Sequence, residues 1–395
     1  MIDRLLAEQV ERLERSAFYR DRLAGAEVRT VSDLRAVPFL TKDELRADQR
    51  AHPPFGDHLC AARDELVRLH VTSGTTGEPV AIGLTPRDHE ANSLVGGQAF
   101  RLAGVRPDDT IAHCLNYALY AGGIADHMAL EASGATVVPV GVGQSERLLR
   151  LIPQLGITAL FGTLSYPAYL AAQTERPPPL RHIVTAGEPG AGLAAVRREI
   201  EAAWGATVAD TFGMSDVWST MGAECGEGDG LHLTCLEHAV LELVDPDTAA
   251  PVELADGAFG ELVWTHLQRE ASPLLRYRSG DLARVWTSPC ACGLATPRIR
   301  IEGRRDDMLR VQAVNVYPAA IGELVGHIGR WRVLASGDPI VPPLRVEVEA
   351  PPEADLGALA GDLRSRLGAT FEVVRLNPGT LPISELKTPL VERRP

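Results

Sequence analysis

The sequence reads Val71-Thr72-Ser73-Gly74-Thr75-Thr76-Gly77-Glu78-Pro79 at the point that decides its fold, between strand-like segments at residues 66–71 and 80–84. Glycines let the backbone approach an anion, and hydroxyl and N–H groups donate hydrogen bonds, so this composition predicts a loop that closes over phosphates. A Walker loop would end in Gly-Lys-Ser/Thr, and that lysine is absent, which disfavours a P-loop kinase or GTPase. The alternative is a polar hairpin turn. The candidate phosphate-binding residues are Thr72, Ser73, Gly74, Thr75, Thr76 and Gly77.

Composition limits the class of protein. The chain has 395 residues, 45% of them hydrophobic, and a net charge of −13. This length exceeds what one compact core usually supports, which predicts two domains. An acidic chain with scattered basic residues argues against a nucleic acid or an anionic membrane as partner. No apolar stretch has the length of a membrane span, and residues 1–6 lack a signal-peptide core, so we expect a cytoplasmic protein.

Short apolar strands alternate with amphipathic helical stretches from residue 85 to about 210. The predicted strands are residues 110–114, 135–140, 159–161 and 182–186. This alternation predicts a layered α/β domain that binds ligands at the carboxyl ends of its strands. Tyr117, Tyr120 and Gly122 follow the first of these strands. Tyrosines at such positions commonly bury the ring and leave the hydroxyl at the surface, so a purely structural role is the alternative.

Three turns have the composition of a nucleotide pocket. The first is Gly187-Glu188-Pro189, and the second is Asp210-Thr211-Phe212-Gly213-Met214-Ser215-Asp216, after a strand predicted at residues 206–209. Glycine backbone permits close approach of a base, an aromatic ring stacks on it, and a carboxylate binds Mg²⁺. The third turn ends at Asp281, whose carboxylate suits two ribose hydroxyls, although a Ser-Gly-Asp turn is also common between strands.

These motifs together resemble the adenylate-forming (acyl-CoA synthetase-like) superfamily, and in particular its phenylacetate–CoA ligase-like group. The resemblance includes Phe18-Tyr19-Arg20, the turn Pro38-Phe39-Leu40-Thr41-Lys42 and the signature Tyr277-Arg278-Ser279-Gly280-Asp281. It runs nearly from end to end of the chain. The resemblance implies an enzyme that uses ATP and Mg²⁺ to activate a carboxylic acid.

The resemblance also implies roles for individual residues. The residues that the resemblance places around the nucleotide are the candidate phosphate-binding residues of the first motif together with Gly187, Glu188, Pro189, Thr211, Phe212, Gly213, Met214, Asp281 and Arg304. Asp216 replaces the family's glutamate and would bind Mg²⁺ with a reach shorter by one methylene. By the same resemblance, Tyr117, Tyr120 and Gly122 would border the acyl pocket, which favours an aromatic acid.

The chain changes character after Arg300. Its pattern predicts a hairpin, a helix at residues 319–328, strands at 332–335 and 344–348, a helix at 356–367 and a strand at 371–376, which suits a small α+β domain. The resemblance makes Arg304 a contact to ribose and phosphate, Asp306 the pivot of a hinge, and Lys387 the lysine that enters the cleft to neutralise charge on the α-phosphate. The expected fold is therefore a large layered α/β N-terminal domain (residues 1–303) with a small mobile α+β C-terminal domain (residues 304–395).

Cysteine spacing raises a separate question. Cys290-Ala291-Cys292 follows the ribose motif, and Cys225 and His232 lie upstream in a glycine-rich stretch. Three thiols and one imidazole suit a closed tetrahedral zinc site, with Cys235 or His238 as possible substitutes. From spacing alone, zinc and inert buried thiols are equally supported. The resemblance favours structural zinc, because some members of the group carry a similar set.

The sequence therefore predicts an AMP-forming ligase that activates an aromatic carboxylic acid and transfers the acyl group to coenzyme A, with a homodimer as the expected assembly. One departure concerns the acceptor: the family's Arg-Gly-Val-Asn hairpin reads Gln312-Ala313-Val314-Asn315 here. The added methyl group narrows the expected pantetheine tunnel. The first alternative is therefore an adenylating enzyme with another acceptor, such as an amine, a carrier protein or a small nucleophile. The second is a non-catalytic acyl or nucleotide sensor.

Overall fold

The computed structural model describes residues 1–72, 78–188, 194–227, 230–382 and 390–394. Its helices are α1 (Ile2–Leu13), α2 (Ala17–Leu23), α3 (Lys42–Ala51), α4 (Pro86–Leu102), α5 (Ala121–Ser133), α6 (Ser145–Leu155), α7 (Ser165–Ala171), α8 (Ala194–Trp204), α9 (Pro318–Val325) and α10 (Leu356–Leu367). Short 3₁₀ helices cover Val31–Ala36, Arg63–Glu65 and Arg305–Asp307.

The strands are β1 (Arg68–Val71), β2 (Ala81–Leu84), β3 (Thr110–His113), β4 (Thr136–Pro139), β5 (Ala159–Gly162), β6 (His182–Thr185), β7 (Thr207–Met214), β8 (Trp218–Glu224), β9 (Leu231–Leu233), β10 (Ala239–Val244), β11 (Pro251–Val252), β12 (Ala258–His266), β13 (Tyr277–Trp286), β14 (Arg298–Arg304), β15 (Leu309–Val311), β16 (Val314–Val316), β17 (Trp331–Ser336), β18 (Leu344–Glu349), β19 (Phe371–Leu376) and β20 (Val391–Arg394).

The chain forms two compact units. Unit 1 comprises Met1–Gly141, Thr211–Ser279 and Arg284–Ile299, and unit 2 comprises Val142–Asp210, Gly280–Ala283 and Arg300–Pro395. No helix among the described residues is both long and apolar enough to cross a membrane.

Unit 1 begins with helices that the sequence predicts from local signals. In α1, Leu5, Leu6, Val10 and Leu13 recur on one face and are buried. Thr41 begins α3 with a capping box, because its hydroxyl accepts from the Glu44 N–H while the Glu44 carboxylate accepts from the Thr41 N–H. The two strand-like segments predicted at residues 66–71 and 80–84 contain β1 and β2, which pair antiparallel in the structure.

The strand predicted at residues 206–209 is longer in the structure, where β7 continues to Met214. Its second half pairs antiparallel with β8, with Thr211 opposite Ala223 and Met214 opposite Trp218. The turn is therefore reduced to residues 215–217. The expected turn from Asp210 onward is wrong because cross-strand hydrogen bonds extend the strand through residues whose own composition favours a loop.

Unit 2 contains parallel strands and a separate four-stranded sheet. Strands β5 and β6 are parallel, and β6 pairs parallel with the first half of β7. The C-terminal sheet has the order β19-β18-β17-β20, and its core residues include Ile321, Leu344, Val346 and Leu363. These arrangements confirm the α/β class with a smaller α+β C-terminal part. Strand β20 was not predicted.

Candidate functional site

Thr72 directly follows β1 and forms the base of the predicted phosphate loop. The Thr72 N–H donates to the Val80 carbonyl at 3.0 Å, and the Val80 N–H donates to Thr72 Oγ1 at 3.0 Å. Thr72 is buried, so its hydroxyl closes the neck of the loop. The candidate residues Ser73, Gly74, Thr75, Thr76 and Gly77 lie outside the described residues.

Helix α3 holds the far end of this loop. Arg46 Nε donates to the Glu78 carbonyl oxygen at 2.8 Å, and Arg50 Nη1 contacts the Glu78 carboxylate at 2.9 Å. The same helix begins at Lys42, whose Nζ lies 3.1 Å from Asp216 Oδ2. One helix therefore joins the exit of the phosphate loop to the predicted magnesium carboxylate.

Asp216 has the chemistry of a cation ligand. It lies in the turn between β7 and β8 and is buried. Lys42 pairs with Oδ2, whereas Oδ1 is buried without a hydrogen-bond partner among the residues that the structure describes. Such an oxygen calls for a cation or a donor, so the residues present fit Mg²⁺. Sequence reasoning did not assign Lys42 a function, although it is one of two lysines in the chain, with Lys387.

Strand β7 positions the adenine candidates Thr211, Phe212, Gly213 and Met214. A Cβ atom at Gly213 would lie 1.9 Å from the Ser219 carbonyl oxygen, so no side chain fits there. The register shifts between Phe212 and Met214. Phe212 is half-buried and Gly213 is exposed, which leaves an aromatic ring beside accessible backbone.

The predicted acyl-pocket loop lies next to the phosphate loop. The Val71 N–H, one residue before Thr72, donates to the Leu119 carbonyl at 3.0 Å. Tyr117 Oη lies 2.9 Å from His127 Nδ1, and Tyr120 is exposed at the start of α5. A Cβ atom at Gly123 would lie 2.5 Å from the Asn116 carbonyl oxygen, so this glycine lets α5 start close to the loop.

Gly122 has more space than Gly123. A Cβ atom at Gly122 would meet Asp126 Oδ2 and Leu115 Cδ1 at 3.6 Å, which is ordinary contact. Asp126 itself is buried and accepts a hydrogen bond from Thr220 Oγ1 at 2.9 Å, and burial raises its pKa to about 6.

In unit 2, Glu188 lies at the end of the segment after β6. Its carboxylate accepts hydrogen bonds from the Ser165 N–H at 2.7 Å and from Ser165 Oγ at 2.8 Å. The predicted adenine contact therefore anchors the start of α7 through its side chain. Gly187 has φ +78°, which favours glycine at this turn. The third residue of this motif, Pro189, lies outside the part of the chain that the structure describes.

Unit 2 also brings together three residues predicted from two separate motifs, the ribose turn and the hinge. Arg304 Nη1 lies 2.9 Å from Asp281 Oδ1, and Arg304 Nε lies 2.9 Å from Asp306 Oδ1. Partial burial alone would lower the pKa of Arg304, but the two carboxylates raise it above its ordinary value. The permanently charged Arg304 guanidinium can donate to phosphate oxygens, and the Asp281 carboxylate can accept from ribose hydroxyls. Lys387 lies outside the described residues, between Leu381 and β20.

The four predicted zinc ligands lie together in unit 1. The ligand atoms of Cys225, His232, Cys290 and Cys292 all lie within 4.8 Å of one another. His232 Nε2 lies 3.5 Å from Cys292 Sγ, while His232 Nδ1 is 3.0 Å from Thr296 Oγ1, a contact that orients the imidazole. The alternatives Cys235 and His238 are not part of this cluster. Three thiols and one oriented imidazole fit a tetrahedral zinc ion.

Comparisons with known proteins identify the family of this chain. Residues 5–267 match the family model of the AMP-binding enzymes. A phenylacetate–coenzyme A ligase of Thermus thermophilus is 34% identical over 97% of this chain and 95% of its own length. The enzyme of the same name from Escherichia coli is 32% identical over 98% of this chain and 94% of its own length.

A solved structure is also similar along the whole chain. It is a 2-hydroxyisobutyryl-CoA ligase in the postadenylation state in complex with 2-HIB-AMP. It is 27% identical and covers 100% of this chain and 89% of its own length, with a TM-score of 0.87. A family model over residues 5–267 and full-length relatives above 30% identity lead to one conclusion: this chain belongs to the AMP-binding enzymes, in their phenylacetate–CoA ligase-like group.

Proposed function

We propose that this protein is an ATP-dependent, AMP-forming ligase that activates an aromatic carboxylic acid and transfers the acyl group to coenzyme A. The observation that carries the proposal is the double contact of α3, which holds Glu78 at the exit of the phosphate loop and Asp216 through Lys42. A phosphate loop and a cation-binding carboxylate held by one rigid helix suit the binding of ATP with Mg²⁺.

The reaction has two steps. A carboxylate oxygen of the acid attacks the α-phosphorus of ATP, the bond to the bridging oxygen breaks, and pyrophosphate leaves. The sulfur of coenzyme A then attacks the acyl carbonyl of the adenylate, its proton is lost to solvent or a base, and AMP leaves. Asp281 and Arg304 would hold the ribose and Lys387 would neutralise charge in the first step. Asp306, near the start of the proposed small mobile domain (residues 304–395), would act as the pivot of its hinge.

Mg²⁺ supplies charge neutralisation on the phosphates when bound, and Asp216 is its proposed ligand. The relatives named phenylacetate–coenzyme A ligase support an aromatic acid as substrate. The test is acid-dependent ATP–pyrophosphate exchange with a panel of aromatic acids, followed by thioester analysis with and without coenzyme A. Absence of exchange with every acid would overturn the proposal. A homodimer and a cytoplasmic location are further proposals, which light scattering and fractionation of the native cells would test.

We also propose that Cys225, His232, Cys290 and Cys292 hold a structural zinc ion. We expect about one zinc per chain in freshly purified protein, because a closed site requires four ligands. Cys290→Ser should lose the metal and lower the midpoint of thermal unfolding, whereas Cys235→Ser, a buried thiol outside the cluster, should keep it. Elemental analysis and thermal scans with a chelator are the measurements. Full zinc content in Cys290→Ser would contradict this ligand set.

The hairpin of β15 and β16 carries the departure in the acceptor region. Gln312 and Ala313 are exposed at its tip, and Gln312 has φ +52°, a conformation that glycine adopts more readily. The proposal is that this tip borders the pantetheine passage in the second step. An exposed alanine at the tip adds only one methyl group, which leaves room for coenzyme A as acceptor.

Ala313→Leu is therefore expected to slow the CoA-dependent step about tenfold or more, since a narrow passage tolerates little added volume. The rate of pyrophosphate exchange should be unchanged. Ala313→Gly should change either step little. Ala358→Leu, an exposed alanine in the first turn of α10, is the matched control. If Ala313→Leu forms thioester as fast as the wild type, the hairpin does not border the passage. Weak CoA turnover that rises in Ala313→Gly would favour another natural acceptor.

A further inference from the structure

A hydrogen-bonded chain runs behind the acyl-pocket tyrosine, through residues that the sequence did not single out. Tyr117 Oη lies 2.9 Å from His127 Nδ1, and His127 Nε2 lies 3.2 Å from Glu131 Oε1. His127 and Glu131 are one turn apart on α5, and the His127 side chain is 17% exposed. Among the described residues, His127 is the hydrogen-bond partner of the Tyr117 hydroxyl.

The direction of the two hydrogen bonds in this series follows from its exposed member, Glu131. An ionised carboxylate only accepts hydrogen bonds, so His127 Nε2 carries the proton that faces Glu131. In the neutral imidazole, Nδ1 then has a lone pair and no proton, and it must accept from the Tyr117 hydroxyl. The phenol proton of Tyr117 is thereby directed toward His127.

The neighbours of Tyr117 keep the phenol neutral and its ring in place. Burial raises the pKa of Tyr117, and Cys114 and Glu131 raise it further. The ring packs against His113, with centroids 4.7 Å apart. His113 is itself buried, which lowers its pKa to about 4, and its Nε2 lies 3.2 Å from the Gly122 carbonyl oxygen. Because its proton is directed toward His127, the Tyr117 hydroxyl can offer a ligand only its oxygen lone pairs, which accept hydrogen bonds.

We infer that His127 sets the polarity of the acyl pocket, so that Tyr117 acts as a hydrogen-bond acceptor and selects aromatic acids that carry a donor, a ring hydroxyl or amino group. This rests on the proposed function, in which Tyr117 borders the acyl pocket. The loop of Tyr117 is tied to the base of the phosphate loop by the contact between Val71 and Leu119, which places this acceptor beside the start of the predicted nucleotide site. His127 is a positioning residue, because it acts through Tyr117.

The first test compares acid-dependent pyrophosphate exchange for phenylacetic acid and its meta- and para-hydroxy, amino and methoxy forms. We expect the wild type to prefer a hydroxy or amino acid over the matching methoxy acid by about tenfold in kcat/KM. Tyr117→Phe should remove the preference. His127→Leu should weaken it, because the Tyr117 hydroxyl is then free to donate to a methoxy oxygen as well as to accept from a ring donor. His182→Leu, which removes a histidine hydrogen-bonded to Thr207, is the control for loss of an imidazole.

A second measurement does not depend on turnover. ¹⁵N NMR of labelled histidines at pH 8, with His127 assigned from the His127→Gln spectrum, should find Nε2 protonated and Nδ1 unprotonated. A proton on Nδ1 overturns the inference, as does a wild-type preference that persists in Tyr117→Phe. If no acid supports exchange, the proposed function fails and this inference, which rests on it, is overturned with it. If acids are activated without regard to ring donors, the inference alone fails.

Discussion

Lys387→Ala is expected to lower the rate of acyl-adenylate formation about 100- to 1000-fold, while thioester formation from supplied acyl-AMP falls by less than about tenfold. An ammonium group near the α-phosphate stabilises the charge that develops as the carboxylate attacks. In the second step charge develops instead on the phosphate oxygen that leaves with AMP, but rotation of the proposed mobile domain would by then have carried Lys387 out of the cleft. The two half-reactions are measured separately, by pyrophosphate exchange and by CoA-dependent consumption of synthetic acyl-AMP.

Lys387→Arg is the informative control for this prediction. It keeps the charge but replaces a compact ammonium with a planar fork, so it should recover only part of the first step. The chain contains two lysines, Lys42 and Lys387, among 39 basic residues, so mass spectrometry after amine acylation reports on very few sites. We expect ATP and the acid together to protect Lys387. An equal loss in both half-reactions of Lys387→Ala would remove the lysine from its proposed role.

Asp216→Asn is expected to lower adenylate formation about 100-fold and to raise the Mg²⁺ concentration needed for half-maximal rate. The amide keeps the shape of the side chain but removes the negative charge that pairs with Lys42 and is proposed to bind the cation. Burial of the site increases the effect, because water poorly screens the positive charge of Lys42 that remains in the variant. Pyrophosphate exchange titrated with Mg²⁺ is the measurement.

Asp43→Asn provides a matched control on the same helix. The Asp43 carboxylate is 88% exposed and pairs with Arg46, so its loss should change neither the rate nor the Mg²⁺ requirement measurably. Asp216→Glu restores the charge and lengthens the side chain by one methylene, and we expect it to retain most of the rate. If Asp216→Asn slows the enzyme without shifting the Mg²⁺ titration, the carboxylate serves only to hold Lys42.

Elements with strong local signals were predicted closely. The helix predicted at residues 356–367 agrees with α10, because Asp355 caps its first turn and Gly368 ends it at φ +71°. Strand β19 also agrees with its predicted bounds, residues 371–376. In contrast, β20 contains Glu392, Arg393 and Arg394 and has no apolar alternation to reveal it. It is a strand because β17, some 60 residues earlier, offers a free edge with which it pairs in parallel.

The candidate site divides in the same way. Sequence by itself determined the candidates for the phosphate loop, the ribose aspartate and the Cys and His set, because the chemistry of phosphate, ribose and zinc restricts which side chains can serve. Tertiary structure alone decided the contacts between distant residues: Lys42 with Asp216, 174 positions apart, and Cys225 with Cys290, 65 positions apart. Tertiary structure also decided the hydrogen-bond partner of Tyr117. Gly123 lets α5 start close to the loop that carries Tyr117, and this brings His127 to the Tyr117 hydroxyl. Local sequence encodes propensity and composition, whereas these pairs depend on how the folded chain brings separate segments together.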